Sequence, residues 1–207
     1  MPRPYRLGAR KASADETRTR VIAAARELLA ASSAPGGFSI DAVARAADVA
    51  RMTVYYQFGT KAGLLQALFD ELAAKGGMHH LAQAFHKPDP IDGLDELLAV
   101  FCRFWASDQV IFRRLRALAT LDPDLDRELA TREEGAHRAI RALLEKLAAA
   151  TGRPKRDEMG RLAAVLYTLT SFQTFDTLQT QLGVGADGIA AILRALARCA
   201  LNSAGSM

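Results

Sequence analysis

Cysteine is scarce in this chain of 207 residues, which contains only Cys102 and Cys199, far apart in the sequence. Two distant cysteines without CxxC spacing exclude a disulfide-rich scaffold and a zinc finger. Long apolar runs are also lacking, and none approaches the roughly 18 residues that a membrane-spanning helix needs. The first residues carry charges and no apolar segment of the kind found in secretory signals. We therefore expect a cytoplasmic protein without a membrane segment.

The motifs of the common enzyme classes are lacking as well. The sequence has no GxSxG element, no phosphate-binding loop and no dinucleotide-binding fingerprint. Its four histidines, His79, His80, His86 and His137, accompany no HExxH motif and no cysteine cluster. The sequence therefore predicts a protein that is not an enzyme and that has neither a metal site nor a cofactor.

The positive charge of the chain is concentrated in its first third. Residues 1–75 contain eleven basic and seven acidic side chains, whereas residues 76–207 contain sixteen of each, so the first third accounts for the whole net charge of +4. Six of the basic residues lie within residues 1–20, namely Arg3, Arg6, Arg10, Lys11, Arg18 and Arg20. A basic segment beside a neutral body indicates contact with a polyanion, although a solvated tail has the same composition.

The periodicity of apolar residues is helical throughout. Alanine is abundant, valine and isoleucine are sparse, and stripes at i, i+3 and i+4 recur without strand-like alternation. Asp15, Ser39 and Thr60 are placed to cap helices. Residues Ala34–Gly37, which include a proline and two glycines, end the first helix. The spacing predicts about nine helices, at about residues 15–32, 39–46, 51–57, 60–75, 92–106, 109–120, 124–150, 155–182 and 187–203.

We therefore expect an all-α protein with two parts. Residues 1–60 form a basic arm and a three-helix domain, and residues 61–207 form a larger helical domain. Within the first part, Ile40, Val43 and Ala44 form the inward stripe of a short helix, and Val54 and Phe58 form that of the next. Two short helices joined by a tight turn are typical of a helix-turn-helix, whose second helix enters the DNA major groove.

The second of these helices has an outward face suited to DNA. Its side chains include hydrogen-bonding groups, one soft apolar group, and tyrosines that reach phosphate oxygens. They are Arg51, Met52, Thr53, Tyr55, Tyr56 and Gln57. An ordinary helical hairpin with exposed tyrosines is the alternative at this point, but the nearby basic arm favours nucleic acid.

Four blocks of sequence make a family resemblance specific. They are TxxxVIxAA from Thr17 to Ala25, VAxxAxV from Val43 to Val49, then TVYYQF and TKAGLL. Together these blocks resemble the N-terminal domain of TetR-family transcriptional regulators over about residues 15–70. The resemblance implies that Thr53, Tyr55, Tyr56 and Gln57 contact bases and phosphates, that Arg51 and Met52 begin the recognition helix, and that Lys61 and Ser39 hold backbone phosphate.

Two residues depart from the family pattern. Asp48 stands in the turn where glycine is common, and Ala50 replaces the serine-like cap of the recognition helix. We expect the turn to survive, because aspartate tolerates left-handed backbone geometry better than most residues. We expect the side-chain cap to be lost.

The larger domain carries most of the aromatic residues, which indicate either an apolar ligand cavity or simply a core. The resemblance implies a small-molecule effector, apolar or aromatic, and a homodimer formed through helices 155–182 and 187–203, although their apolar stripes could instead be buried within one chain. The tentative ligand-binding residues are Phe101, Phe104, Trp105, Phe112, His137, Tyr167, Phe172 and Gln173.

The predicted function is thus that of a sequence-specific DNA-binding regulator. We expect a repressor that binds a palindromic operator in double-stranded DNA and is released by its small-molecule ligand. Two alternatives remain open from the sequence. One is a DNA-binding regulator without a small-molecule effector, and the other is a helical carrier or enzyme whose first domain is an interaction module.

Overall fold

The computed structural model of the protein describes residues 5–31 and 38–203, with side chains from residue 12 onward in the first helix. Within these ranges the chain is helical and has no strand, which confirms the all-α prediction. One short 3-10 helix covers Met78–His80. The α-helices are α1 (Tyr5–Ala31), α2 (Ile40–Ala46), α3 (Arg51–Phe58), α4 (Lys61–Lys75), α5 (Leu81–His86), α6 (Pro90–Ala106), α7 (Gln109–Ala119), α8 (Pro123–Thr151), α9 (Met159–Thr170), α10 (Phe172–Leu182) and α11 (Ala186–Ser203).

The described residues thus form eleven α-helices, two more than the sequence predicts. The short helix α5 is one of them, since the sequence pattern places no helix between Gly77 and the loop at Lys87–Pro90. The other arises because the predicted helix 155–182 is two helices, α9 and α10, and begins only at Met159. The prediction of one continuous helix there is wrong.

The break lies at Ser171, whose backbone is extended at φ −70° and ψ 150°. The Ser171 hydroxyl accepts a hydrogen bond from the Thr174 amide at 3.2 Å, so it caps α10 as serine commonly does. The Thr170 carbonyl would accept from that same amide in a continuous helix. It accepts instead from the indole Nε1 of Trp105 at 2.8 Å, in the interior of the protein.

The first helix starts earlier than its predicted cap at Asp15. Residues 5–14 are already helical, and the Asp15 carbonyl accepts a hydrogen bond from the Thr19 hydroxyl as part of the helix interior. The reason is propensity, since alanine, leucine, arginine and lysine dominate this segment and favour helix. Arg3 and the break at Ala34–Gly37 lie outside the described residues, as do the side chains of Arg6, Arg10 and Lys11.

The chain divides into two compact units. The first contains the described residues up to Glu71 together with Arg113–Glu128, and the second contains Leu72–Phe112 and the described residues from Leu129 onward. In the first unit α2 packs against both α1 and α3. Val21, Ala25 and Leu29 of α1 are buried in this unit.

The second unit is built around α6. Asp89 caps this helix by accepting a hydrogen bond from the Ile91 amide at 2.8 Å, and Pro90 occupies the first turn. Helices α5, α9, α10 and α11 all pack against α6. A helix surrounded in this way is buried on most of its faces, and Leu97 and Val100 are fully inaccessible to solvent. In the described parts of the chain, none of the helices combines the length and the apolarity needed to cross a membrane.

Candidate DNA-binding surface

Helix α2 is fixed by a side-chain cap and a buried apolar stripe. The Ser39 hydroxyl accepts a hydrogen bond from the Ala42 amide at 3.2 Å, which satisfies one of the free amides at the helix start. Ile40, Val43 and Ala44 are buried, as the sequence predicts. Ser39 is itself exposed beside this helix start, so it remains accessible to a phosphate oxygen.

The turn between α2 and α3 has the geometry that the sequence predicts. Asp48 adopts a left-handed conformation at φ 52°, and it alone does so among the described residues other than glycine. The Val49 amide donates to the Ala44 carbonyl at 3.0 Å, which closes the turn. Ala50 precedes α3 without a side-chain hydrogen bond to the helix, so the expected loss of the cap is confirmed.

Two side chains on the inner face of α3, those of Val54 and Phe58, are buried to different extents. Val54 is completely buried, whereas Phe58 is only half-buried. The guanidinium of Arg18, on α1, lies over the Phe58 ring at 4.7 Å from its centroid. Arg18 also donates from Nη1 to the Gln57 carbonyl at 3.4 Å. The sequence indicates only that Arg18 belongs to the basic segment, because its pairing with α3 links residues 39 positions apart.

The outer face of α3 carries two large side chains that are mostly exposed among the residues that the structure describes. Met52 is 72% exposed and Tyr56 is 91% exposed. They are four residues apart, so they stand one turn from each other on the same side of the helix. Thr53 is half-buried between this face and the interior. Two exposed apolar or aromatic groups of this size form a surface suited to contact with another molecule.

The other predicted contact residues of α3 already have partners in the chain. Arg51 forms an ion pair with Asp41, its Nε lying 3.2 Å from the carboxylate, and it donates from Nη2 to the Tyr55 hydroxyl at 3.2 Å. The guanidinium also lies over the Tyr55 ring at 5.4 Å. The hydrogen bond to Tyr55 raises the pKa of Arg51 above its ordinary value, and the charge of Asp41 adds to this. Gln57 donates to the Ala14 carbonyl on α1 at 3.3 Å.

Lys61, at the start of α4, is paired with Asp122, for which the sequence predicts no role. Its ammonium lies 3.6 Å from Oδ2 of Asp122, in the connection between α7 and α8, and 5.8 Å from the centroid of the Phe38 ring. The other carboxylate oxygen of Asp122 accepts from the amides of Asp124 and Leu125 at 3.2 Å each, and so caps α8. No short-range pattern links residues 61 and 122, so this pair is a product of tertiary structure.

The predicted ligand-binding residues do not form one group. Five aromatic residues of the second unit are buried, and the closest pair of rings, Phe104 and Trp105, is separated by 4.4 Å between centroids. The five are Phe101, Phe104, Trp105, Phe112 and Phe172, each of which has at least one other member of the set as a ring neighbour. This arrangement is that of a packed aromatic cluster.

The three remaining predicted residues lie nearer to solvent. The ring of His137 is exposed and stacks on the half-buried ring of Tyr167 with 3.8 Å between centroids. The Tyr167 hydroxyl donates to the Glu133 carboxylate at 2.8 Å. Gln173 is exposed on α10. Within the described ranges, the His, Cys, Asp and Glu side chains form no group of three or more that could hold a metal ion.

Comparison with known proteins identifies the first domain. Residues 21–68 match the model of the bacterial regulatory proteins of the tetR family. This segment contains α2, α3 and the turn between them. Residues 21–68 therefore form a TetR-family DNA-binding domain, as the sequence resemblance implies. No curated protein matches the chain in sequence.

Solved structures of similar fold cover nearly the whole chain. NalD of Pseudomonas aeruginosa, the secondary repressor of the MexAB-OprM multidrug efflux pump, is 23% identical with a TM-score of 0.65, covering 91% of this chain and 97% of that one. FadR of Bacillus subtilis in complex with stearoyl-CoA is 15% identical with a TM-score of 0.67, covering 88% and 97%. A regulator from Saccharomonospora viridis in complex with choline is 16% identical with a TM-score of 0.61, covering 86% and 94%. At these identities the likeness establishes a shared fold.

Proposed function

We propose that this chain, whose first domain is a TetR-family domain, is a cytoplasmic homodimeric repressor that binds a palindromic operator in double-stranded DNA. The observation that carries the proposal is the division of α3 into two faces. Val54 seats the helix in the domain, while Met52 and Tyr56 stand exposed on the opposite side. A helix held in this way presents a continuous outer surface to the major groove, which is wide enough to admit it.

Phosphate contacts complete the proposed interface. Lys61 begins α4 just after the recognition helix, and Ser39 begins α2 just before it. Contacts to phosphate fix the orientation of such a domain on the duplex, while contacts to base edges supply the sequence preference. We assign Lys61 and Ser39 to the first role and α3 to the second.

The test is selection of bound DNA from a random pool, followed by binding measurements on the enriched duplex. We expect a palindrome whose half-sites are separated by about one helical turn or a multiple of it. Tyr56→Ala should weaken binding at least several-fold while leaving the fold intact, because the side chain is exposed. A pool that yields no enriched sequence, or a Tyr56→Ala variant that binds as tightly as the parent, contradicts the proposal.

A homodimer through α10 and α11 is the second part of the proposal. The inner face of α11, including Ile189 and Leu193, is buried within the chain, but Ile192 and Leu196 on the same helix are exposed. Leu182 at the end of α10 is exposed as well. Exposed apolar side chains on both helices support a self-complementary surface with two-fold symmetry.

The dimer is tested by light scattering on the purified protein. Leu196→Glu should convert the dimer to a monomer, because two carboxylates would meet at the symmetric contact. Leu121→Glu is the matched control, since Leu121 is an equally large exposed apolar residue in the first unit. Equal dimer fractions in the two variants would place the interface elsewhere.

The third part of the proposal is release by an apolar or aromatic effector. We propose that the effector binds in the second unit and alters the end of α4, from about Phe69 to Lys75, so that the two recognition helices of a dimer no longer match the operator. The support is that α4 contributes residues to both units and that similar folds have been crystallised with stearoyl-CoA and with choline. A coupling of roughly 1–3 kcal/mol corresponds to about a 5- to 150-fold loss of operator affinity.

One observation favours a regulator without a small-molecule effector. The five buried aromatic rings contact one another, and the single indole N–H among them is satisfied by the Thr170 carbonyl. Such a cluster has the character of a core. Thermal shift across a compound collection separates the two cases, because a ligand that binds the folded state raises the melting temperature. Ligand-dependent stabilisation coupled to weaker operator binding supports the effector, and its absence supports the alternative.

A further inference from the structure

The predicted contact residues of α3 are of two kinds, those already hydrogen-bonded within the domain and those that are exposed. Arg51 belongs to the first kind, since Asp41 and Tyr55 together engage its Nε, Nη1 and Nη2. Gln57 belongs to it as well, through the Ala14 carbonyl. These are the residue types that read guanine and adenine in the major groove through paired hydrogen bonds. In this domain both are directed to protein partners.

Met52 belongs to the second kind, and it stands at the start of the recognition helix, where such helices contact base edges. Its thioether side chain donates no hydrogen bond and accepts only weakly. The major groove presents one apolar group, the C5 methyl of thymine. A flexible, polarisable side chain that is 72% exposed in the free protein is suited to cover such a methyl group.

We infer that Met52 is a specificity-determining residue that contacts a thymine C5 methyl in each half-site, and that Arg51 positions α3 instead of reading guanine. This inference rests on the proposed function, because it names the feature of the operator that the same surface recognises. The ring of Tyr56, one turn further along, flanks the contact and helps to exclude water from it. Each operator half-site therefore contains one thymine whose methyl group lies opposite the start of α3.

The experiment replaces thymine by uracil, one position at a time, in the operator selected from the random pool. Uracil has the same hydrogen-bonding edge and lacks only the methyl group. We expect one position per half-site at which the change weakens binding of the wild-type protein about fourfold, the value of one buried CH₂ group. For Met52→Ala, the thymine and uracil operators should bind equally, and both more weakly than the wild-type protein binds the thymine operator.

Met52→Leu is the conservative control. It keeps an apolar side chain of similar volume, so it should retain the preference for thymine over uracil. The ratio of the two affinities is the readout, because a merely structural role of Met52 would weaken both operators and leave their ratio unchanged. Met52 is exposed, so neither substitution disturbs the core of the domain.

Arg51 is tested with 7-deazaguanine, which removes the N7 acceptor of guanine. We expect less than a twofold change at any guanine of the operator. A large loss with the wild-type protein that disappears in Arg51→Ala overturns the assignment of Arg51. An operator bound equally well with thymine or uracil at every position, or a uracil penalty that Met52→Ala retains, overturns the assignment of Met52. A pool without any enriched sequence overturns the proposed function and this inference together.

Discussion

The recognition helix and the aromatic cluster of the second unit use the same residue classes in opposite ways. Tyr56 on α3 is 91% exposed, whereas Phe112 in the cluster is 2% exposed and has the rings of Phe104 and Trp105 within 4.9 Å between centroids. An aromatic side chain stabilises a fold by the area it buries, so it is a candidate for binding only where the chain leaves it uncovered. Exposure, more than residue type, therefore separates a binding surface from a core.

Truncation of one buried and one exposed aromatic side chain tests this difference between the two regions. Trp105→Ala should lower the free energy of unfolding by about 3–5 kcal/mol, because it leaves a cavity among packed rings and leaves the Thr170 carbonyl without its donor. Tyr56→Ala should change it by less than about 0.5 kcal/mol, as substitutions at exposed positions usually do. Urea unfolding followed by circular dichroism measures both. Similar losses in the two variants would show that the buried and the exposed aromatic side chains contribute equally to stability.

The buried thiol of Cys102, on α6, makes the stability of the protein depend on pH. Burial raises the pKa of the Cys102 thiol from its ordinary 9.0 to about 11, although Arg194 and Arg103 oppose the shift. Between these values the folded state keeps a proton that the unfolded state releases, so stability is fully present below about pH 9 and falls as the pH rises toward 11.

The slope from this one proton is at most about 1.4 kcal/mol per pH unit. Because lysine and tyrosine groups titrate in the same range, the measurement is the difference between the wild-type protein and Cys102→Ala in urea unfolding from pH 8.5 to 11. The variant should lose less stability over this range. Parallel pH curves for the two proteins would rule out a protonated, buried thiol as the cause.

In the proposed DNA-binding surface, Lys61→Ala should weaken operator binding about tenfold. It should also reduce the slope of log affinity against log salt by about 0.9 for each copy of Lys61 that holds a phosphate. Lys155→Ala is the control, since it removes the same charge from an exposed site in the second unit. Fluorescence anisotropy across a range of salt concentrations measures both variants. A slope that changes equally in the two would indicate an effect of net charge alone.

The smallest expected effect concerns Asp122. In the free protein its carboxylate competes with phosphate for Lys61, and a partly exposed pair of this kind contributes about 0–1 kcal/mol. Asp122→Asn should therefore raise operator affinity up to about fivefold, while asparagine retains the cap on α8. Combined with Lys61→Ala, the same substitution should have no effect on affinity. An increase that persists in the double variant would mean that Asp122 acts through general repulsion of DNA.

The fold could be predicted from the sequence largely because its signals are local. The inward stripe of α2, the cap at Ser39 and the left-handed Asp48 each depend on residues within a few positions of one another. The prediction of one helix over 155–182 is wrong because the local apolar spacing there does not reveal where the helix ends. This spacing runs through Ser171, and a periodicity pattern does not include the competition between a serine hydroxyl and a backbone carbonyl for one amide.

The sequence alone determined the helical class, the helix-turn-helix and the residues of its recognition helix, since periodicity, capping and turn chemistry act between neighbours. Only the tertiary structure decided which of those residues are available. Arg51 meets Asp41 across the turn, Gln57 meets Ala14 on α1, and Lys61 meets Asp122 sixty-one positions later. Ion pairs and hydrogen bonds between distant segments depend on how helices pack, and packing brings together residues that no local pattern relates.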